Sequence, residues 1–220
     1  MDKKILKEYI DIIRFNKNDE LLNGDEPIKI PGKQLIIVDI QPVYDKGMPF
    51  TIEQFIKSLK GFEGDILYFY NGAQMGLDKG KDLINWFMAS VNDYSVDFRN
   101  LLKRIRWVEK GYGFFRDSMD EGYKYEDIEI ILLYLLARKY WATNELSEKE
   151  IDSLMIEDRL KVKLKSQEHI IAVPNFDINI LREYNGATMC GGGKDECYAE
   201  IKIIMNALGL KYNEFKPFIY

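Results

Sequence analysis

A chain of 220 residues, 46% apolar and 30% charged, is long enough for one domain with its own core, and its composition excludes a disordered or fibrous chain. The formal net charge of −5 disfavours nucleic acid or an anionic membrane as the partner of the surface as a whole, leaving only a local basic patch for such contacts. The longest apolar run, Ile130 to Ala137, falls far short of the roughly 18 residues a membrane helix needs, and Met1-Asp2-Lys3-Lys4 opens no secretion signal, so a cytoplasmic chain is expected.

In chain order, residues 1–34 read as an appendage: a short helix with Ile5, Tyr9, Ile12 and Ile13 on one face, then a polar stretch ending at Pro31-Gly32. Leu35 to Ile40 is a nearly unbroken β-branched run, the mark of a strand covered on both faces, and it breaks at Gln41-Pro42. Thr51 caps a predicted helix with Ile52, Phe55, Ile56 and Leu59 on its inner face, closed by Gly61. A second strand is predicted over Ile66 to Tyr70, helices over Leu83 to Ser90 and Val96 to Lys103, and a third strand over Ile105 to Val108. Further strands are predicted at Ile170 to Val173, Ala187 to Cys190 and Pro217 to Tyr220, with a helix from about Glu196 to Leu208.

Strands alternating with helices predict an α/β fold: a mainly parallel sheet with helices on both faces, a Rossmann-like three-layer arrangement forming one domain over 1–220. Residues 117–168 break the alternation. They hold an apolar helix from Ile128 to Trp141 and a second helix announced by a Ser147/Glu150 capping box, and read as a helical insertion. A helix apolar nearly all round is expected to be buried by the main body or by a second copy of the chain, making a homo-oligomer one expectation.

Three segments carry groups suited to chemistry, all beside predicted strands. Asp39 ends the first strand, where a carboxylate is costly unless it meets water, a cation or a donor; the alternative is an Asp that merely caps the turn. Gln41 and Tyr44 follow in the loop above it. Lys110 follows the third strand within Glu109-Lys110-Gly111-Tyr112-Gly113-Phe114, which reads as a tight loop laying Tyr112 and Phe114 beside a pocket; taken alone, the lysine reads more readily as an exposed charge and the rings as packing residues. The third segment, Cys190-Gly191-Gly192-Gly193-Lys194-Asp195-Glu196-Cys197, runs from a strand through three glycines into a helix that Asp195 is placed to cap. Glycines allow amides to approach a bound atom, Gly193 and Cys197 are placed to form an oxyanion hole, and a thiol in the first helical turn is favoured as thiolate. Cys197 is also in phase with Ile201, Ile204 and Leu208, which fits a plain core cysteine equally well. Both cysteines are expected as free thiols. His169 is the only histidine, and neither a zinc site nor any cofactor is expected.

These segments resemble the isochorismatase-like cysteine hydrolases, the superfamily of nicotinamidases and related amidohydrolases. Val38-Asp39-Ile40-Gln41 matches the family's Val-Asp-x-Gln at the end of its first strand. Gly191-Gly192-Gly193-Lys194-Asp195-Glu196-Cys197 keeps the first Gly, the Asp and the Cys of Gly-x-Ala-Thr-Asp-x-Cys, with Gly193 for Ala and Lys194 for Thr. Lys110-Gly111-Tyr112-Gly113-Phe114 is the counterpart of the family's lysine loop. The resemblance implies that Asp39 takes the thiol proton, Lys110 stabilises the anionic state and Cys197 attacks a carbonyl carbon. It also implies a cis peptide beside the glycine loop, here Gly192-Gly193. The substrate would be a small amide or ester-type molecule, cleaved without a metal.

Two other readings fit the same residues. Asp39 with Asp117, Asp120 and Glu196 fits a divalent-metal nuclease or phosphatase, in which Arg104, Arg106, Lys110 and Arg116 meet phosphates. A catalytically inactive binding or assembly protein on the same scaffold is the third.

Overall fold

The structure is a computed structural model that describes residues 26–72, 81–110, 118–119, 121–141, 144–166 and 176–220. The helix predicted within residues 1–34 and the strand predicted at Ile170 to Val173 lie outside the described residues.

Five parallel strands form one sheet in the order β3-β2-β1-β4-β5: β1 (Gln34–Val38), β2 (Asp65–Tyr70), β3 (Arg106–Glu109), β4 (Ala187–Gly191) and β5 (Tyr212–Ile219). This is the predicted α/β fold. From β1 the chain builds outward through β2 to β3, then returns to place β4 on the other flank of β1. The carboxyl ends of β1 and β4 therefore bound the switch point, where parallel sheets open a crevice.

Alternate residues of the central strands feed two cores. Leu35 and Ile37 of β1 pack with Phe55 of α1 (Ile52–Lys60), Phe87 of α2 (Lys81–Ser90) and Leu102 of α3 (Val96–Arg104). Ile36 and Val38 face the opposite layer, with Leu132 of α4 (Tyr125–Trp141), Ile151 of α5 (Glu148–Ser153), Leu164 of α6 (Asp158–Ser166) and Ile201 of α7 (Cys197–Ala207). The strand period of two thus divides one apolar run between two faces. The helix starts follow local chemistry: the Thr51 hydroxyl accepts from the Gln54 amide, and Ser147 and Glu150 close their capping box.

The insertion helices share the sheet's second core. Asp127 of α4, itself buried, accepts a 2.9 Å hydrogen bond from the Glu157 amide at the start of α6, fastening the two helices together. The inner side of α4 is covered by this chain's own core, while Ile130, Leu133 and Trp141 are exposed. The last strand is longer than predicted. Its pairing with β4 shifts register between Met189 and Gly191, which accommodates Pro217 on an edge strand. No helix among the described residues is long and apolar enough to cross a membrane.

Candidate active site

At the end of β1 the chain turns at Asp39, which has φ 52°. This left-handed conformation is unusual for a residue with a side chain and tolerated better by Asp than by most. Three bonds hold the turn. The Asp39 amide continues the ladder to the Phe69 carbonyl at 3.0 Å, the Tyr220 hydroxyl donates to the Asp39 carbonyl at 2.6 Å, and the Tyr68 hydroxyl donates to the carbonyl of Ile40. The predicted strand stops two residues early because of this turn.

Lys110 continues from β3, its amide bonded to the Tyr70 carbonyl at 2.8 Å. Two strand spacings, roughly 10 Å, separate β3 from β1, and the lysine side chain bridges them. Its Nζ lies 2.8 Å from Asp39 Oδ2, and both side chains are almost wholly buried. Asp39 Oδ1 is buried and has no hydrogen-bond donor among the described residues.

The glycine loop after β4 is shaped by what each position excludes. A Cβ on Gly191 (φ 120°) would sit 2.0 Å from the Val38 carbonyl oxygen, and one on Gly192 would sit 1.7 Å from the Tyr220 ring. Gly193 has φ 61°, and a Cβ there would lie 3.0 Å from the Cys197 amide nitrogen. The Gly192 amide donates to Val38, binding the loop to β1, and the Lys194 amide donates to the Tyr220 carbonyl at 2.7 Å. Every peptide bond among the described residues is trans, Gly192-Gly193 included, so the loop takes its shape from two positive φ angles rather than the expected cis bond. Asp195 does not cap α7: the boundary residue is Glu196, without a side-chain cap bond, and the Gly193 carbonyl accepts from the amides of Glu196 and Tyr198 instead.

Cys197 opens α7 and lines a cavity of about 480 Å³ together with Asp39, Tyr44, Gly193, Glu196 and Tyr220. It also belongs to the apolar layer with Ile201 and Ile204. Burial pushes its thiol up to about 12, and the Asp39 carboxylate adds to that. Lys110, placed to hydrogen-bond the sulfur, pulls the other way. Burial and Asp39 outweigh the expected lowering by the lysine, and the resting thiol keeps its proton. Burial works against the Lys110 ammonium, but Asp39, Cys197 and Glu200 together hold it above the ordinary lysine range. Cys190 is a different case: it is fully buried in the opposite core, and burial alone raises its thiol well above the usual range. Both cysteines are free thiols.

The other expected site residues divide. Tyr44 lines the cavity. Gln41 does not: fully buried, its side chain donates to the Asn71 carbonyl at 3.3 Å and accepts from the Asn71 amide at 3.0 Å, clamping the end of β2. Tyr112, Phe114, Arg116, Asp117, Asp120 and His169 lie outside the described residues. Among the described residues no group of three or more His, Cys, Asp or Glu side chains is placed to hold a metal ion. Of the cations expected to meet phosphates, Arg106 is an exposed partner of Glu183, and Arg104 reaches the Glu63 carbonyl from the surface.

Three residues of the site were not expected in these roles. Tyr220 fastens both Asp39 and the glycine loop. Glu200, buried one turn below Cys197, adds a second acid near Lys110. Glu196, expected only as a metal ligand, lines the cavity. The i, i+3 spacing of Cys197 and Glu200 was the available signal for Glu200. Nothing local pointed to Tyr220, which arrives through strand pairing.

Compared with known proteins, the chain matches no family model, and neither a curated protein nor a solved structure shows significant similarity to it.

Proposed function

We propose that this chain is a metal-independent hydrolase of the isochorismatase-like kind, in which Cys197 attacks the carbonyl carbon of a small amide or ester. The observation that carries the reading is the meeting of Asp39, Lys110 and Cys197 from three separate segments, with Asp39 and Cys197 lining one cavity. The buried Asp39 Oδ1, with no donor among the described residues, is a fitting acceptor for the thiol proton.

The steps balance on these groups. Asp39 takes the Cys197 proton as sulfur bonds to the carbonyl carbon, and the carbonyl oxygen becomes an oxyanion beside the Gly193 and Cys197 backbone. Collapse breaks the bond to the leaving nitrogen or oxygen, which receives the proton from Asp39. Water then loses a proton to Asp39 and attacks the thioester, and the proton returns to sulfur as the acid departs. Lys110 stays protonated throughout, holding Asp39 in place and stabilising the thiolate formed in transit. Its ammonium occupies the position against Asp39 that a divalent cation would take, which favours this chemistry over a metal-dependent nuclease.

Incubation with para-nitrophenyl acetate, an acid quench and peptide mass analysis tests the reading. Acetylation of Cys197 with nitrophenol release, both lost in Cys197→Ala, is the expected result. Release that persists unchanged in a folded Cys197→Ala protein would contradict it.

A further inference from the structure

The turn at Asp39 changes which face of the sheet each side chain serves. Leu35 and Ile37 enter one core layer, Ile36 and Val38 the other. Continued as a strand, β1 would send Asp39 to the face of Leu35 and Ile37, and Ile40 to that of Ile36 and Val38. Instead Ile40 packs with Leu35 and Ile37. Asp39 meets Lys110 and shares a cavity with Cys197, which belongs to the layer of Ile36 and Val38. The left-handed φ of 52° at Asp39 makes this exchange, and a residue with a side chain keeps such an angle only where its surroundings hold it. Two tyrosine hydroxyls donate to consecutive carbonyls there: Tyr68 to Ile40, and Tyr220 to Asp39 at 2.6 Å. Tyr68 is wholly buried, its ring among those of Phe87 and Trp107. Tyr220 stands in the site itself. It lines the cavity, its ring fills the space over Gly192 and meets the Phe50 ring edge-on, and its carbonyl accepts from the Lys194 amide at 2.7 Å.

We propose that Tyr220 is a positioning residue for the hydrolysis: its hydroxyl holds the turn that carries Asp39 from its strand face to the Cys197 thiol, while its ring and backbone set the glycine loop. This rests on the reading of Cys197 as the nucleophile and Asp39 as the base that takes its proton. One residue thereby keeps the proton acceptor and the oxyanion amides in a fixed relation. Proton transfer falls off steeply once a base leaves hydrogen-bond reach, so loss of the hydroxyl alone weakens the chemical step.

The test is Tyr220→Phe in the full chain, which keeps the ring and removes the bond. Initial acylation of Cys197 by para-nitrophenyl acetate is followed from about pH 7 to pH 9 by acid quench and peptide mass, with urea unfolding to check the fold. Asp39, Lys110, Glu200 and Tyr220 are the titratable groups that act on the sulfur. Burial first, then Asp39, holds the Tyr220 proton above the ordinary tyrosine range, so its hydroxyl donates throughout the test. With Asp39 in place, the native rate should rise far less than the roughly tenfold per pH unit of a thiolate made by hydroxide. Tyr220→Phe is expected to be about tenfold slower at pH 7 and to climb with hydroxide, so that the gap narrows towards pH 9. Equal rates, or a deficit of the same size at every pH, overturn the proposal and leave the hydrolase reading standing. So does a native rate that itself climbs with hydroxide, because Asp39 is then not the base. A Tyr220→Phe chain that does not fold also overturns it, since the hydroxyl then serves the fold. A native chain never acylated at Cys197 overturns the hydrolase reading and the proposal with it.

Discussion

Lys110 Nζ and Asp39 Oδ2 lie 2.8 Å apart with both side chains shielded from solvent, a buried ion pair across the ends of β3 and β1. Removing one partner strands the other charge in a poorly solvated place. Lys110→Met is therefore expected to cost about 3–5 kcal/mol of stability. The double change Asp39→Asn with Lys110→Met should recover a good part of that loss. Urea unfolding of the three proteins measures it, and equal stability for Lys110→Met and the double variant would show that the pair is not coupled.

The buried Cys197 thiol gives a pH dependence with a definite sign. Its proton is held up to about 12 in the folded chain, against an ordinary thiol value of 9.0. The unfolded chain thus releases the proton first. The stabilisation from the protonated thiol is intact below about pH 9 and lost as pH rises towards 12, by about 1.4 kcal/mol per unit. The unfolding midpoint should fall more steeply over this range for the native chain than for Cys197→Ser. Parallel profiles would mean the thiol titrates normally.

Glu200 and Lys110 act on that thiol in opposite directions. Glu200→Gln removes a nearby negative charge and should speed alkylation of Cys197 at pH 8 several-fold, whereas Lys110→Met should slow it. Peptide-level labelling at a fixed iodoacetamide concentration reads both. Equal rates in the two variants would mean that neither charge reaches the sulfur.

Tyr220 fastens two parts of the site through different atoms, its hydroxyl to Asp39 and its backbone to the glycine loop. Tyr220→Phe keeps the ring against Gly192 and removes only the bond to the Asp39 carbonyl, so a loss of about 1 kcal/mol is expected. Gly192→Ala puts a methyl into the ring's place and should cost about 1–3 kcal/mol. Thermal unfolding of each checks this ordering; a harmless Gly192→Ala would mean that the ring does not rest on the loop.

What could be read in advance followed local chemistry. The β-branched run of β1, the Thr51 and Ser147 caps and the alternation of strand and helix are each fixed within a few residues, and the fold follows from them. Asp39, Lys110 and Cys197 were visible because each stands where a strand gives way to a loop or helix. Gln41 was misplaced because the need of the Asn71 backbone for a partner exists only once β1 and β2 lie side by side. Tyr220 was missed for the same reason: its place depends on the register shift between β4 and β5, which no local pattern encodes. The trans Gly192-Gly193 bond and the missing Asp195 cap reflect a loop shaped by Val38 and Tyr220, residues distant in sequence.

The central claim is that Cys197 is a cavity thiol poised against Asp39 and Lys110 rather than an inert member of the Ile201 and Ile204 stripe. Native-state alkylation with iodoacetamide, read peptide by peptide over hours and repeated after denaturation, tests this most directly, because fully buried Cys190 serves as the internal reference. The account expects Cys197 to label in the folded protein, faster as pH rises, while Cys190 labels only after unfolding. Protection of both cysteines until denaturation would contradict it.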